Sequence, residues 1–223
     1  EASIPTGRWG LCGHGAEESE LSQLERSLST AGVEIVRLGA GAERWPDDLD
    51  GLVTLWSAAD DDAGLATHLG VQGLEALQTI REPGVKRTVW ITHGAIGAVS
   101  DDQVSCLNTS TLWGMARTAR SEQPDLDLLL LDLDGSQASL EVLATAMAQS
   151  DEPELALRDG ATLARRLNRA REELVLPASG SWRVEVAEKG RLDRLEAVSF
   201  DDAPLLAGEA RVQVEAAGIN FRD

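Results

Sequence analysis

A chain of 223 residues can fold as one domain of ordinary size with part of a second. Its formal net charge of −18 sets it against a phosphate backbone or an anionic bilayer surface, which excludes nucleic-acid and lipid-surface roles. Apolar content of 43% is normal for a globular protein, no apolar run approaches a membrane span, and the N-terminus lacks the charged and apolar regions of a signal peptide. The two cysteines, Cys12 and Cys106, fall in predicted core elements and read as buried thiols in a reducing cytoplasm. The chain starts at Glu1 without Met and stops at Asp223, so both ends read as cuts in a longer polypeptide.

Arg8 to Cys12 reads as a first strand, Gly13-His14-Gly15 as a turn, and Glu17 to Thr30 as a helix. That helix carries Leu21, Leu24 and Leu28 on one face, with Gly32 as its C-cap signal. Val33 to Leu38 is a second strand, and an acidic loop around Trp45-Pro46 fills residues 39–50. Gly51 to Trp56 is a third strand, almost continuously apolar, as expected where both faces of a sheet are covered. Asp60, Asp61 and Asp62 suit the N-terminus of a long helix bearing Leu65, Leu69, Ala76, Leu77 and Ile80, which Pro83-Gly84 ends.

Arg87 to Thr92 is a fourth strand, His93 to Asp102 a loop, and Gln103 to Ser121 a helix. Leu128 to Leu133 is a fifth strand, Ser139 to Gln149 a helix, and Glu154 to Arg158 a sixth strand. Asp159-Gly160 is a two-residue hairpin signal, so Ala161 to Leu167 should return antiparallel. The alternation predicts an α/β fold: a truncated Rossmann-like, mostly parallel sheet with helices on both faces. From Asn168 to Gly180 the composition shifts to charge, then to proline, serine and glycine. Beyond it, Trp182 to Val186 and Ala210 to Ala216 alternate as strands of another domain. The chain therefore divides into residues 1–170, a linker at 171–181, and a short β segment at 182–223.

The strongest lure for a ligand is Leu11-Cys12-Gly13-His14-Gly15-Ala16-Glu17-Glu18. A dinucleotide fingerprint wants a third glycine where Glu18 stands. A pyrophosphate also needs a helix N-terminus free of negative charge, and Glu17, Glu18 and Glu20 crowd this one. Arg37, late in the second strand, is placed either to meet a 2′-phosphate or to lie on the surface. His14, His68 and His93 are dispersed, and Cys12-x-His14 finds no further cluster to complete a metal's ligand set. His93-Gly94 lies beyond a strand's carboxyl end, where α/β sheets present ligands, but no nucleophile motif accompanies it. There is no Gly-x-Ser-x-Gly elbow and no P-loop, and no carboxylate pair stands out as an acid/base couple. Leu112 to Pro124 is a helix in which Gly114 permits close approach of a neighbour, and Arg117 and Arg120 favour the negative end of the dipole. The sequence thus singles out no catalytic, cofactor-binding or metal-ligating residue.

The outline resembles the short-chain ketone reductases, which donate a proton from a tyrosine phenol held near a lysine. This chain has no tyrosine, and its only lysines are Lys86 and Lys189. A closer resemblance lies in Val89-Trp90-Ile91-Thr92-His93-Gly94-Ala95, Leu112-Trp113-Gly114-Met115-Ala116-Arg117, Glu122-Gln123-Pro124, Glu152 to Gly160, and Arg165-Arg166-Leu167. Together these resemble the structural, non-catalytic subdomain of the ketoreductase in modular type I polyketide synthases, over roughly residues 5–170. Gly208 to Asp223 resembles the opening strands of a polyketide synthase enoylreductase, truncated before its nucleotide-binding domain. The resemblance implies a chain inactive alone that supports a separate catalytic half. That half would reduce β-ketoacyl chains on an acyl carrier protein with NADPH, the cofactor belonging to the parent protein. It implies as partners the catalytic half, the enoylreductase remainder and the carrier protein, with no nucleic acid and no membrane. Asn220, Phe221 and Arg222 would fall near an enoylreductase substrate channel or simply pack at a strand end. The rival readings are a scaffold-only pseudo-ketoreductase module and a free-standing NADP-binding reductase.

Overall fold

Short apolar runs become the central strands, and amphipathic segments become the helices that cover them. The strands are β1 (Arg8–His14), β2 (Glu34–Arg37), β3 (Gly51–Trp56), β4 (Arg87–His93), β5 (Leu128–Leu133), β6 (Glu154–Arg158) and β7 (Ala161–Ala164). The helices are α1 (Glu18–Thr30), α2 (Ala63–Thr79), α3 (Ser110–Glu122), preceded by a 3-10 turn at Leu107–Thr109, and α4 (Gln137–Met147). The computed structural model describes residues 4–39, 45–58, 63–80, 85–99, 102–167, 176–177, 180–186, 195–200 and 203–212. It divides into two units, residues 1–166 and 167–223.

In the first unit the sheet order is β2-β1-β3-β4-β5-β6-β7, parallel throughout except for the β6–β7 pair. This is the expected Rossmann-like sheet. The order reverses at β1, whose neighbours are β2 on one side and β3 on the other, so a crevice opens at their carboxyl ends. Every residue of β3 and β5 is buried, which explains their unbroken apolar runs. Alternation of side chains sorts the core into two layers. Leu11, Val53, Leu55, Val89, Ile91, Leu129 and Leu131 meet Leu24 and Leu28 of α1 and Leu140 and Leu143 of α4. Leu52, Trp56, Trp90, Leu128 and Leu130 meet Leu69 of α2 and Leu112, Trp113 and Ala116 of α3. The β6–β7 turn runs through Asp159 and Gly160, both at positive φ (47° and 78°), the left-handed pair that a two-residue hairpin requires.

Several boundaries differ from the sequence expectation. β1 runs on to His14, so the first half of the glycine turn is strand. Gln103 to Cys106 is not helical: the Ser105 and Cys106 amides both donate to the Gly94 carbonyl, holding this stretch against the end of β4, and α3 begins only at Ser110. α4 starts two residues early, because the Ser136 hydroxyl accepts from the Ser139 amide and caps it. β7 stops at Ala164, short of Leu167, which is fully exposed.

Among the described residues of the second unit, β8 (Ser181–Val186) and β9 (Leu195–Phe200) form an antiparallel pair in the register Trp182↔Ser199, Val184↔Ala197, Val186↔Leu195. The second expected strand, Ala210–Ala216, is not found where it is described: Ala210, Arg211 and Val212 are exposed and outside any strand. Alternation gives a strand its faces but not its partner, and Leu195–Phe200 takes that place. Residues 213–216 lie outside the described residues, as do Asp60, Asp61, Asp62, Pro83, Gly84, Lys189, most of the 171–181 linker, and Asn220, Phe221 and Arg222.

Candidate functional site

The crevice at the carboxyl ends of β1 and β3 is where this architecture would present a ligand, and the glycine turn closes over it. The His14 carbonyl accepts from the Ser57 amide at 3.0 Å. Gly15 has φ +68°, and a Cβ there would lie 2.2 Å from the Ser57 carbonyl oxygen, so only glycine fits. At Gly13 a Cβ would strike Leu21 at 2.9 Å, which keeps α1 tight against β1. His14 stacks on Trp56 at 4.4 Å between ring centroids, and burial lowers its pKa.

The N-terminus of α1 is occupied by its own carboxylate. Glu20 Oε2 accepts from the Glu17 amide at 2.8 Å. Glu20 Oε1 accepts from the Ser57 hydroxyl at 3.3 Å and lies 3.8 Å from His93 Nδ1. Arg37 turns to Glu18 at 2.6 Å and to Glu25 at 3.7 Å, so the one candidate for a 2′-phosphate is drawn to acids of α1.

A cleft of about 430 Å³ lies beside this turn, lined among others by Glu20, His93, Gly94, Asp102, Asp134 and Arg158. Asp102 and Arg158 in its lining belong to a network the sequence reading missed. Asp132, fully buried in β5, accepts from the Thr92 hydroxyl at 2.6 Å, the Ala95 amide at 2.8 Å and Arg158 at 2.8 Å. Trp113 Nε1 donates to Thr92 Oγ1 at 3.1 Å, tying α3 into the same chain of bonds. Arg158 also donates to Asp102 at 2.7 Å and to the carbonyls of Ile96, Asp132 and Leu157. Burial opposes its charge, and the Asp102 and Asp132 carboxylates outweigh it, raising its pKa. The loop after β4 is therefore pinned by a side chain from β6. Asp134, at the rim, is held down to about 2: burial pushes it up, but the Asp159 and Ser136 amides and the Ser139 and Ser136 hydroxyls prevail.

A second polar knot explains the two arginines of α3. Arg117 binds Glu154 through two bonds of 2.8 Å each, and Arg120 binds it at 2.7 Å while donating to the Leu128 and Pro153 carbonyls. Their expected role at the helix's negative end is thus replaced by a clamp from α3 onto β6. Burial pushes the Glu154 carboxyl up, yet Arg117, Arg165 and Arg120 together lower its pKa. Gly114, expected to admit a neighbour, faces open space: a Cβ there would have nothing within 4 Å.

The remaining candidates stay apart. His93 is lowered by burial, with the Glu20, Asp132 and Asp134 carboxylates pulling the other way, and His68 is exposed on α2. Cys12 is buried, its thiol raised by burial and 3.5 Å from Thr54 Oγ1, while Cys106 is half-buried ahead of α3 rather than within it. Among the described residues no group of three or more His, Cys, Asp or Glu is placed to hold a metal ion. No helix among them is long and apolar enough to cross a membrane.

Two signals could have revealed the buried network. Asp132 interrupts an otherwise leucine-only strand, Leu128–Leu133, and a charge there needs a partner. Glu154 and Arg158 stand four apart in a strand, hence on the same face, toward α3.

Comparison with known proteins follows the same lines. The family model described as the Rossmann fold domain of the polyketide synthase extender module SpnB matches residues 14–167. The spectinabilin polyketide synthase system protein NorB of Streptomyces orinoci is 39% identical over 173 residues, which are 74% of this chain and 8% of that protein. The chain spans less than a tenth of the length of the curated relatives it matches. Among solved structures, a C2-type ketoreductase from a modular polyketide synthase aligns with a TM-score of 0.64 at 25% identity, covering 78% of this chain and 43% of that one. An A1-type ketoreductase aligns at 0.63 and 26%, covering 81% and 42%.

Proposed function

Because the chain belongs to the Rossmann-fold domain family of the polyketide synthase extender module SpnB, we propose that residues 1–170 are the structural, non-catalytic half of a ketoreductase region. In this reading the unit binds no dinucleotide. It supports a catalytic half that reduces β-ketoacyl chains on an acyl carrier protein with NADPH, in the cytoplasm, within a larger polyketide synthase. Residues 182–223 are the start of an enoylreductase, a reading supported by a two-stranded β8–β9 sheet whose Trp182, Val184 and Val186 are exposed.

The observation that carries the reading is the Glu20 carboxylate lodged at the N-terminus of α1. It takes the Glu17 amide that a pyrophosphate would need, and with Glu18 beside it would repel one. The share of the match supports the same view, since the chain accounts for 43% of the C2-type ketoreductase and leaves the larger part of it unmatched.

Titration calorimetry of the purified chain with NADPH tests the first half of the proposal, with no micromolar binding expected. Mixing the chain with the separately produced catalytic half, and following NADPH oxidation on a β-ketoacyl thioester, tests the second. Turnover should rise at least tenfold over that of the catalytic half alone. Micromolar NADPH binding by this chain, or ketone turnover by it unaided, would overturn the reading in favour of a free-standing reductase.

A further inference from the structure

The β6–β7 end of the sheet is covered differently on its two sides. α4 packs on both strands from one side, where Leu155 and Leu157 join its layer. Alternation turns Glu154 and Ala156 to the other side, and Leu163, directly opposite Ala156, shares that face. There the flank of α3 leaves a groove of about 260 Å³, lined among others by Trp113, Arg117, Ala156, Leu163, Arg165 and Arg166. Beside it runs an open edge. Among the described residues β7 is the last strand of the sheet and pairs with β6 alone, so one row of its backbone donors and acceptors has no strand to meet. Its residues, Ala161, Thr162, Leu163 and Ala164, carry no charge to guard that edge.

The rim of the groove reverses the charge of the molecule. Arg117, Arg120, Arg165 and Arg166 meet only two carboxylates, Glu154 and Glu152. Elsewhere in the first unit, among the described residues, every cation in an ion pair has at least one acid of its own. Arg8 meets Glu34 and Asp48, Arg37 meets Glu18 and Glu25, and Arg158 meets Asp102 and Asp132. Lys86 and Arg87 meet one each. At the groove, the two arginines of α3 saturate Glu154, and Arg117 is held over the Trp113 ring at 5.8 Å. Arg165 reaches the same carboxylate only at 3.7 Å and is 69% exposed, so its guanidinium has donors to spare.

We propose that the β7 edge and this groove are a docking site for an extended acidic segment of a partner protein. The segment adds to the sheet as a strand beside β7, its carboxylates meet Arg165 and Arg166, and its apolar side chains enter the groove beside Trp113 and Leu163. The inference goes beyond the functional reading above and does not rest on it. Charge complementarity chooses the occupant. The net charge of −18 opposes an acidic partner at long range. At physiological salt, however, charges more than about 8 Å away are largely screened, and the arginines of the rim decide. A basic segment would meet four arginines there. A second copy of the chain, paired edge to edge, would set Arg165 and Arg166 against their own counterparts.

The test uses the full chain and three blocked hexapeptides: alternating Glu and Val, alternating Lys and Val, and the acidic one N-methylated at every residue. Affinity is read by calorimetry and the edge by backbone hydrogen exchange. The acidic peptide should bind and slow exchange in Ala161–Ala164, and the basic and N-methylated peptides should bind about tenfold more weakly or not at all. Arg165→Glu, at an exposed position where the fold should survive, should weaken the acidic peptide about tenfold. Arg26→Glu, an equal change of charge on the exposed side of α1, should leave it within about twofold. Failure of the acidic peptide to bind overturns the proposal. So does equal binding of the basic peptide or equal binding by Arg165→Glu, since the rim then selects nothing. Equal binding of the N-methylated peptide overturns it too, since the edge then takes no strand. Self-association of the chain that protects Ala161–Ala164 from exchange would assign the edge to a second copy, with the same result.

Discussion

Arg158 holds the carboxyl edge of the sheet together, and its worth can be read from what its loss would strand. It is the cation beside the fully buried Asp132, and it reaches three backbone carbonyls and Asp102 besides. Arg158→Ala leaves a carboxylate in the core with only the Thr92 hydroxyl and the Ala95 amide. Breaking a buried pair from one side typically costs about 3–5 kcal/mol. Urea unfolding should show that loss, and Arg158→Ala combined with Asp132→Leu should recover part of it, since the uncompensated charge is then gone. A single variant within about 1 kcal/mol of wild type would mean that water reaches Asp132 and the network is dispensable. Asp134 makes a separate prediction from acid titration. Its folded pKa of about 2 lies below the ordinary 3.8, so the linked stability is whole above the ordinary value and is lost as pH falls toward 2. Urea midpoints at pH 4.5 and 2.5 should fall less steeply for Asp134→Asn than for wild type, and parallel slopes would refute the assignment. Asp132 among leucines announces a buried charge, but its partner was not legible in the sequence, because it depends on a pairing between β5 and β6. Asp132 stands 26 positions from Arg158 along the chain, and no local pattern reports such a contact.

The elements were legible in proportion to how far local pattern decides them. β3, β5 and β6 fall where their apolar runs begin and end, and the Asp159-Gly160 turn returns the chain as its left-handed residues demand. Where an end is set by a tertiary bond, the pattern overran it. Gln103 to Cys106 reads as helix by composition, yet the Gly94 carbonyl takes the Ser105 and Cys106 amides and delays α3 to Ser110. The glycine turn was read as hostile to phosphate from Glu18 at the third-glycine position and from the density of glutamates, and the structure adds which of them accepts from an amide there. That is Glu20, three residues into the helix from its cap, where a side chain curls back on the first amides. The arginines of α3 were seen as helix-end charges because the sequence does not place Glu154 beneath them. The second small sheet shows the limit of alternation: Ala210 to Val212 has the period of a strand and forms none, while Leu195–Phe200 pairs with β8.

At the scale of the whole molecule, every residue of both core layers lies between Trp9 and Ala164. The first unit should therefore carry the stability of the chain by itself. β7, at the sheet's edge, ends at Ala164, and beyond it Arg166 makes an exposed ion pair with Glu152 that contributes little. A chain cut after Leu167 removes no buried side chain from either layer, so its urea-unfolding free energy should agree with that of the intact chain within about 0.5 kcal/mol. Among the described residues the excised remainder offers a two-stranded sheet with Trp182, Val184, Val186, Leu195 and Phe200 exposed, and a lone hairpin of that kind is marginal in water. Residues 176–223 alone should therefore melt without a cooperative transition by circular dichroism. A drop of about 2 kcal/mol or more on truncation would show that the second unit contributes to the first. A cooperative melt of the remainder would show that it holds a core of its own. If neither occurs, the Rossmann unit folds without help. What a partner would meet is then the outer surface of the unit rather than any deficit in its own interior, which separates support given to a neighbour from support received.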